Sequence, residues 1–105
     1  MNITKHDTNK PRYDLIPPLS LKEIAKTFAI GPNKYSDRNW EMGTDWSRYY
    51  RALLSHANAW WAGEKFDKED GQHHLAAVAV CAMMLMEYER TCPEKDTRKE
   101  DKIGL

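Results

Sequence analysis

A chain of 105 residues supplies one domain and not two. Its 16 Lys plus Arg balance 16 Asp plus Glu, which excludes a bulk basic nucleic-acid binder and a polybasic membrane-peripheral protein. A hydrophobic fraction of 41% with four tryptophans excludes a disordered chain, but so short a domain buries only about 60–70% of its unfolded surface, so a partner subunit is expected to complete the core.

The chain divides into a polar N-terminal arm (1–13), a folded all-α domain (14–91) and a charged C-terminal tail (92–105). The arms are expected to be solvated unless a neighbour ties them down. The polar start carries no signal-peptide pattern. The longest apolar run, Leu75 to Met86, has 12 residues and is too short to span a bilayer. Cys81 and Cys92 fall in no metal-binding spacing, so a reducing, cytoplasmic setting without a disulfide framework is expected.

The first helix is expected from Ser20, which with Glu23 forms a capping box. Leu21, Ile24, Ala25 and Phe28 give it one apolar stripe, and Gly31-Pro32 end it. A loop follows from Gly31 to Thr44. It carries Lys34, Tyr35, Asp37, Arg38, Asn39 and Trp40, either as binding groups or as a Trp-anchored connector with surface charges. The second helix is expected from about Asp45 to Ala62, capped by Thr44 or Asp45 and ended by Gly63. Its stripe is Trp46, Tyr49, Tyr50, Leu53, Ala57, Trp60 and Trp61, with His56 at the border. The third is expected from about Asp70 to Arg90. It is apolar on every side from Leu75 to Met86, which calls for two covering surfaces, its own bundle and a second chain.

The segment Gly63 to Leu75 holds four carboxylates and two histidines. Glu64 and Asp67 have the spacing that puts two carboxylates on one face of a helical turn. Hard divalent cations take such oxygen ligands, and His74 can add a nitrogen ligand or orient a carboxylate or water. Equally, Asp67 and Asp70 can cap the third helix, and His74 can be a hydrogen-bonded core histidine. Lys34, Arg38, Arg48 and Arg51 can meet phosphate oxygens, and Tyr35 and Trp40 can stack on a base. No P-loop, GxGxxG or GxSxG is present.

Several blocks of residues, in order and with compatible spacing over about residues 10–90, resemble one family. They are Lys10-Pro11-Arg12-Tyr13-Asp14-Leu15-Ile16-Pro17-Pro18, Gly31-Pro32-Asn33-Lys34-Tyr35, Arg38-Asn39-Trp40, Arg51-Ala52-Leu53-Leu54-Ser55-His56, and Gly63-Glu64 with Asp67, Gly71 and His74-Leu75. The chain is similar to the phage and prophage dATP/dGTP diphosphohydrolase (MazZ-type) family, within the MazG-like all-α nucleoside triphosphate pyrophosphatases.

The resemblance implies a small helical bundle assembled as a homodimer or tetramer. It implies hydrolysis of a purine deoxynucleoside triphosphate, dGTP or dATP, to the monophosphate and pyrophosphate, with Mg²⁺ or Mn²⁺ as cofactor. In phages that replace adenine with 2-aminoadenine, the dGMP so made feeds the modified-base pathway. Glu64, Asp67 and His74 are then the expected metal ligands, and Glu64, Glu69 and His56 the expected catalytic groups. Lys34, Tyr35, Arg38, Asn39, Trp40 and Arg51 are the expected substrate contacts. The broader superfamily carries a second paired-carboxylate motif, absent here, and relatives often have a second histidine where Ala77 stands. Two other readings stay open: a catalytically weak nucleotide-binding protein, and a small helical interaction protein. No membrane or nucleic-acid partner is expected.

Overall fold

In the computed structural model, residues 9–30 and 37–98 are described. They form an all-α arrangement of three helices, α1 (Pro18–Ile30), α2 (Trp46–Trp61) and α3 (His74–Thr91), with short 3-10 turns at Tyr13–Leu15, Asn39–Met42 and Pro93–Lys95. Among the described residues the only β-type pairing is an isolated antiparallel bridge between Phe66 and His73. Residues 1–8 of the expected N-terminal arm, the expected helix stop at Gly31-Pro32, Lys34, Tyr35 and residues 99–105 lie outside the described residues.

The first helix starts two residues earlier than the capping-box expectation. Pro18 occupies its first turn, where a missing N–H costs nothing and the fixed φ suits the helix. The Leu21 N–H already donates to the Pro17 carbonyl, so Ser20 lies inside the helix and is no cap. Glu23 pairs with Lys26 instead of reaching back.

The second helix follows its expected bounds, with Asp45 at the N-cap and Ala62 at the C-cap. Its end is a Schellman arrangement. The Glu64 N–H donates to the Ala59 carbonyl and the Gly63 N–H to the Trp60 carbonyl, both at 3.0 Å. Gly63 sits at φ +106°, a conformation a side chain would resist.

The third helix begins at His74, four residues later than expected. Asp67 and Asp70 cap nothing. The Asp67 Oδ1 accepts from the Glu69 N–H at 2.8 Å, and the Asp70 Oδ1 from the Gln72 N–H at 3.2 Å, so both fold the connection locally. The cap is His73, whose Nδ1 accepts from the Leu75 N–H at 3.0 Å.

Helices α2 and α3 pack antiparallel, since the pairs Trp46–Cys92, Tyr49–Tyr88 and His56–His74 step in opposite directions along the two. The core gathers Trp46, Met84, Tyr88 and Cys92, with Phe28 of α1 and Trp40 packed against it. Its polar atoms are satisfied: the Tyr88 hydroxyl donates to the Trp40 carbonyl at 2.7 Å, and the Trp46 Nε1–H to the Cys92 carbonyl at 3.3 Å. Both cysteines are free and buried. Gly43 lies against Cys92 at φ +78°, and a Cβ there would stand 3.1 Å from the Cys92 Sγ.

Residues 92–98 are not the solvated arm expected from their charge. Thr97 Oγ1 accepts from the Ser47 N–H at 3.1 Å, and the Arg98 guanidinium lies 4.8 Å from the centre of the Trp46 ring. On α3 itself, His74, Ala77, Cys81, Met84 and Tyr88 are buried along one face, while Leu75, Met83 and Met86 remain exposed. No helix among the described residues is long and apolar enough to cross a membrane.

Candidate functional site

The connection between α2 and α3 folds back on itself. The Asp67 N–H donates to the Gln72 carbonyl at 2.8 Å, the Gly71 N–H to the Asp67 carbonyl at 2.8 Å, and the His74 N–H to the Lys65 carbonyl at 3.0 Å. The loop thereby returns Asp67 to the helix pair, and the Schellman turn sets Glu64 at its entrance.

His74 stands at the first turn of α3 with 3% exposure. Its two ring nitrogens have different partners. Nε2 lies 2.7 Å from Glu64 Oε1, and Nδ1 lies 2.9 Å from Nδ1 of His56 on α2. A carboxylate only accepts, so Nε2 carries a proton, and Nδ1 is the nitrogen turned toward His56. Asp67 Oδ2 lies 4.0 Å from His56 Nδ1. One donor atom each from His56, Asp67 and His74 falls within 4.8 Å of the others. Two imidazole nitrogens and a carboxylate oxygen at this separation fit a divalent metal ion.

Burial lowers the pKa of His56, the neighbouring His74 lowers it further, and the carboxylates of Asp67 and Asp70 oppose both. The balance favours the neutral ring, the form able to bind a metal. Asp70 was legible in the sequence only as a cap, yet its charge acts on His56.

The expected site residues divide into groups. Glu64, Asp67, His74 and His56 come together, though Glu64 and Asp67 share no helical turn, because Gly63 has already ended α2. Glu69 is exposed in the same connection. Ala77, one turn beyond His74, is 2% exposed, so helix packing occupies the place of a second histidine.

Arg38 takes a left-handed backbone conformation, pairs with Glu41 and lies over the Trp40 ring. Asn39 and Trp40 border an open groove of about 470 Å³ with Arg48, Tyr49 and Tyr88. Arg48 was one of several cations open to phosphate in the sequence, and Tyr49 was legible only as core. Arg51 is exposed on α2. Tyr49 and Ala52 of the groove share a helix stripe with His56, the seven-residue step covering about 10 Å of axis.

A family model described as dATP/dGTP diphosphohydrolase, N-terminal, matches residues 2–98. A protein of Salmonella phage PMBT28 named dATP/dGTP diphosphohydrolase is 32% identical over 95 residues. That match takes in 90% of this chain and 32% of the phage protein, so the chain spans about a third of that relative's length. No solved structure matches it. With nearly its whole length matched, the chain belongs to the family described as dATP/dGTP diphosphohydrolase, N-terminal.

Proposed function

We propose that the chain acts in metal-dependent hydrolysis of a purine deoxynucleoside triphosphate, dGTP or dATP, to the monophosphate and pyrophosphate, as part of phage nucleotide metabolism. The observation that carries the reading is the convergence of His56, Asp67 and His74 in a chain of this family. Those three residues would hold Mg²⁺ or Mn²⁺. Such an ion neutralises triphosphate charge and lowers the pKa of bound water.

The chain's own groups do the rest. Glu64 is engaged with His74 Nε2, which leaves exposed Glu69 as the carboxylate to take the proton of the attacking water. Water adds at the α-phosphorus and pyrophosphate leaves. Arg38 and Arg51, with Lys34, meet phosphate oxygens as charge builds in the transition state. Asn39, Trp40 and Tyr35 contact the nucleoside. The groove beside Asn39 and Trp40 supports this assignment, because its Tyr49 and Ala52 lie on the same stripe of α2 as His56. Assembly as a homodimer or tetramer is part of the proposal, supported by the exposed apolar row of Leu75, Met83 and Met86.

The test is pyrophosphate release from a panel of deoxynucleoside triphosphates, with Mg²⁺ or Mn²⁺ and with chelator. Metal-dependent release with dGTP or dATP fastest is expected. Folded protein that releases none from any of them overturns the proposal.

A further inference from the structure

Within the reading that His56, Asp67 and His74 hold a metal ion, we infer that Glu64 is a positioning residue, which fixes His74 with Nδ1 as a bare donor and so gives the site a preference for Mn²⁺ over Mg²⁺. Three observations carry this. The Glu64 Oε1 lies 2.7 Å from His74 Nε2, so the proton is held on that nitrogen. The ring is nearly fully buried, so it has no water to exchange this bond for. The backbone of Glu64 is itself pinned by its N–H bond to the Ala59 carbonyl in the Schellman turn, so the carboxylate approaches from a fixed base.

The consequence lies in the donor set. With Nδ1 bare, the cluster offers two imidazole nitrogens and one carboxylate oxygen. Imidazole suits transition ions, whereas Mg²⁺ is a hard ion that takes oxygen ligands and gives up its water reluctantly. His74 Nδ1 and His56 Nδ1 share a hydrogen bond across 2.9 Å, which an ion seated between the two rings would replace. Glu64 thus acts through His74. A carboxylate behind a ligating histidine commonly contributes about 10–100-fold in metal affinity.

The experiment uses the whole chain and reads metal binding, not turnover. Mn²⁺ binding is followed by electron paramagnetic resonance, with Mg²⁺ as competitor. Mn²⁺ is expected to bind at least about tenfold tighter than Mg²⁺, because two of the three donors are imidazole nitrogens and Mg²⁺ holds to oxygen ligands and water. Glu64→Gln, whose amide oxygen still accepts from Nε2–H, is expected to stay close to wild type. Glu64→Leu is expected to lose about 10–100-fold. Equal competition by Mg²⁺ overturns the selectivity. Unchanged binding by Glu64→Leu, or an equal loss in Glu64→Gln, overturns the positioning role. Wild-type protein that binds no ion removes the metal reading itself and this inference with it. Should Glu64→Leu fail to fold, the histidine ¹⁵N spectrum of the metal-free wild type decides: a proton on His74 Nε2 is expected, and one on Nδ1 overturns the inference.

Discussion

His56 and His74 stand eighteen residues apart in the chain, yet their Nδ1 atoms are 2.9 Å apart, with Asp67 completing the cluster. The two rings tilt at 46° with centroids 5.1 Å apart, which is the geometry of two side chains aimed at one point from facing helices.

Removing either ring should therefore empty the site of half its nitrogen donors. His56→Ala, at a half-buried position, is expected to lower Mn²⁺ affinity at least about tenfold. Calorimetric titration with Mn²⁺ reads the loss, and an unchanged helical circular dichroism spectrum shows that the fold survives.

The same residue sets an acid limit on stability. The folded pKa of His56 is depressed by burial, so the unfolded chain binds its proton first as pH falls. The contribution is complete above the unfolded value near ~6.5 and is lost as pH drops below it. Urea midpoints between pH 7.5 and 5 should fall for the wild type, and His56→Gln should flatten that slope.

Tyr88 sets the alkaline limit. Burial pushes its phenol well above the ordinary value, with further contributions from Tyr49 and Cys92. The folded pKa is the higher one, so stability is complete below about 10 and declines as pH rises toward the folded value. Tyr88→Phe should remove this alkaline decline. At neutral pH it should cost about 1 kcal/mol, the hydrogen bond to the Trp40 carbonyl, as read by urea denaturation.

Gly43→Ala tests the contact that closes the core. Gly43 sits at φ 78° and ψ 163°, a region kept essentially to glycine that costs a side chain about 1–3 kcal/mol, and the added Cβ would also press on the Cys92 Sγ at 3.1 Å. Thermal melting should show a loss of several degrees. Cys92→Ala in the Gly43→Ala background should relieve the contact and leave the backbone cost.

The legible parts of the sequence were those set by local periodicity and by glycine. The stripe from Trp46 to Trp61 reads at helical spacing, and Gly63 marks its end. The start of α3 was misread because the chemistry that caps a helix also folds a tight loop. Asp67 and Asp70 accept from N–H groups two residues on, inside the connection, and His73 does the capping. Ser20 was misread in a similar way, since Pro18 sets the helix in motion before the serine can act. At the site, spacing pointed to Glu64, Asp67 and His74 but not to their division of labour. Which nitrogen of His74 faces Glu64 and which faces His56 depends on how two helices meet, and no linear spacing encodes that.

The site's residues all fall between positions 56 and 74. Bringing them together closes a loop of under twenty residues, for which the entropic cost is small and grows only slowly with length. The groups that would bind a metal thus mature with the α2–α3 hairpin, on the timescale of low-contact-order folding. Phe28 of α1 joins the core from a more distant stretch of chain. An ion captured by that hairpin would favour it over the unfolded chain before α1 had docked, so binding would act on the folding route as well as on the finished protein.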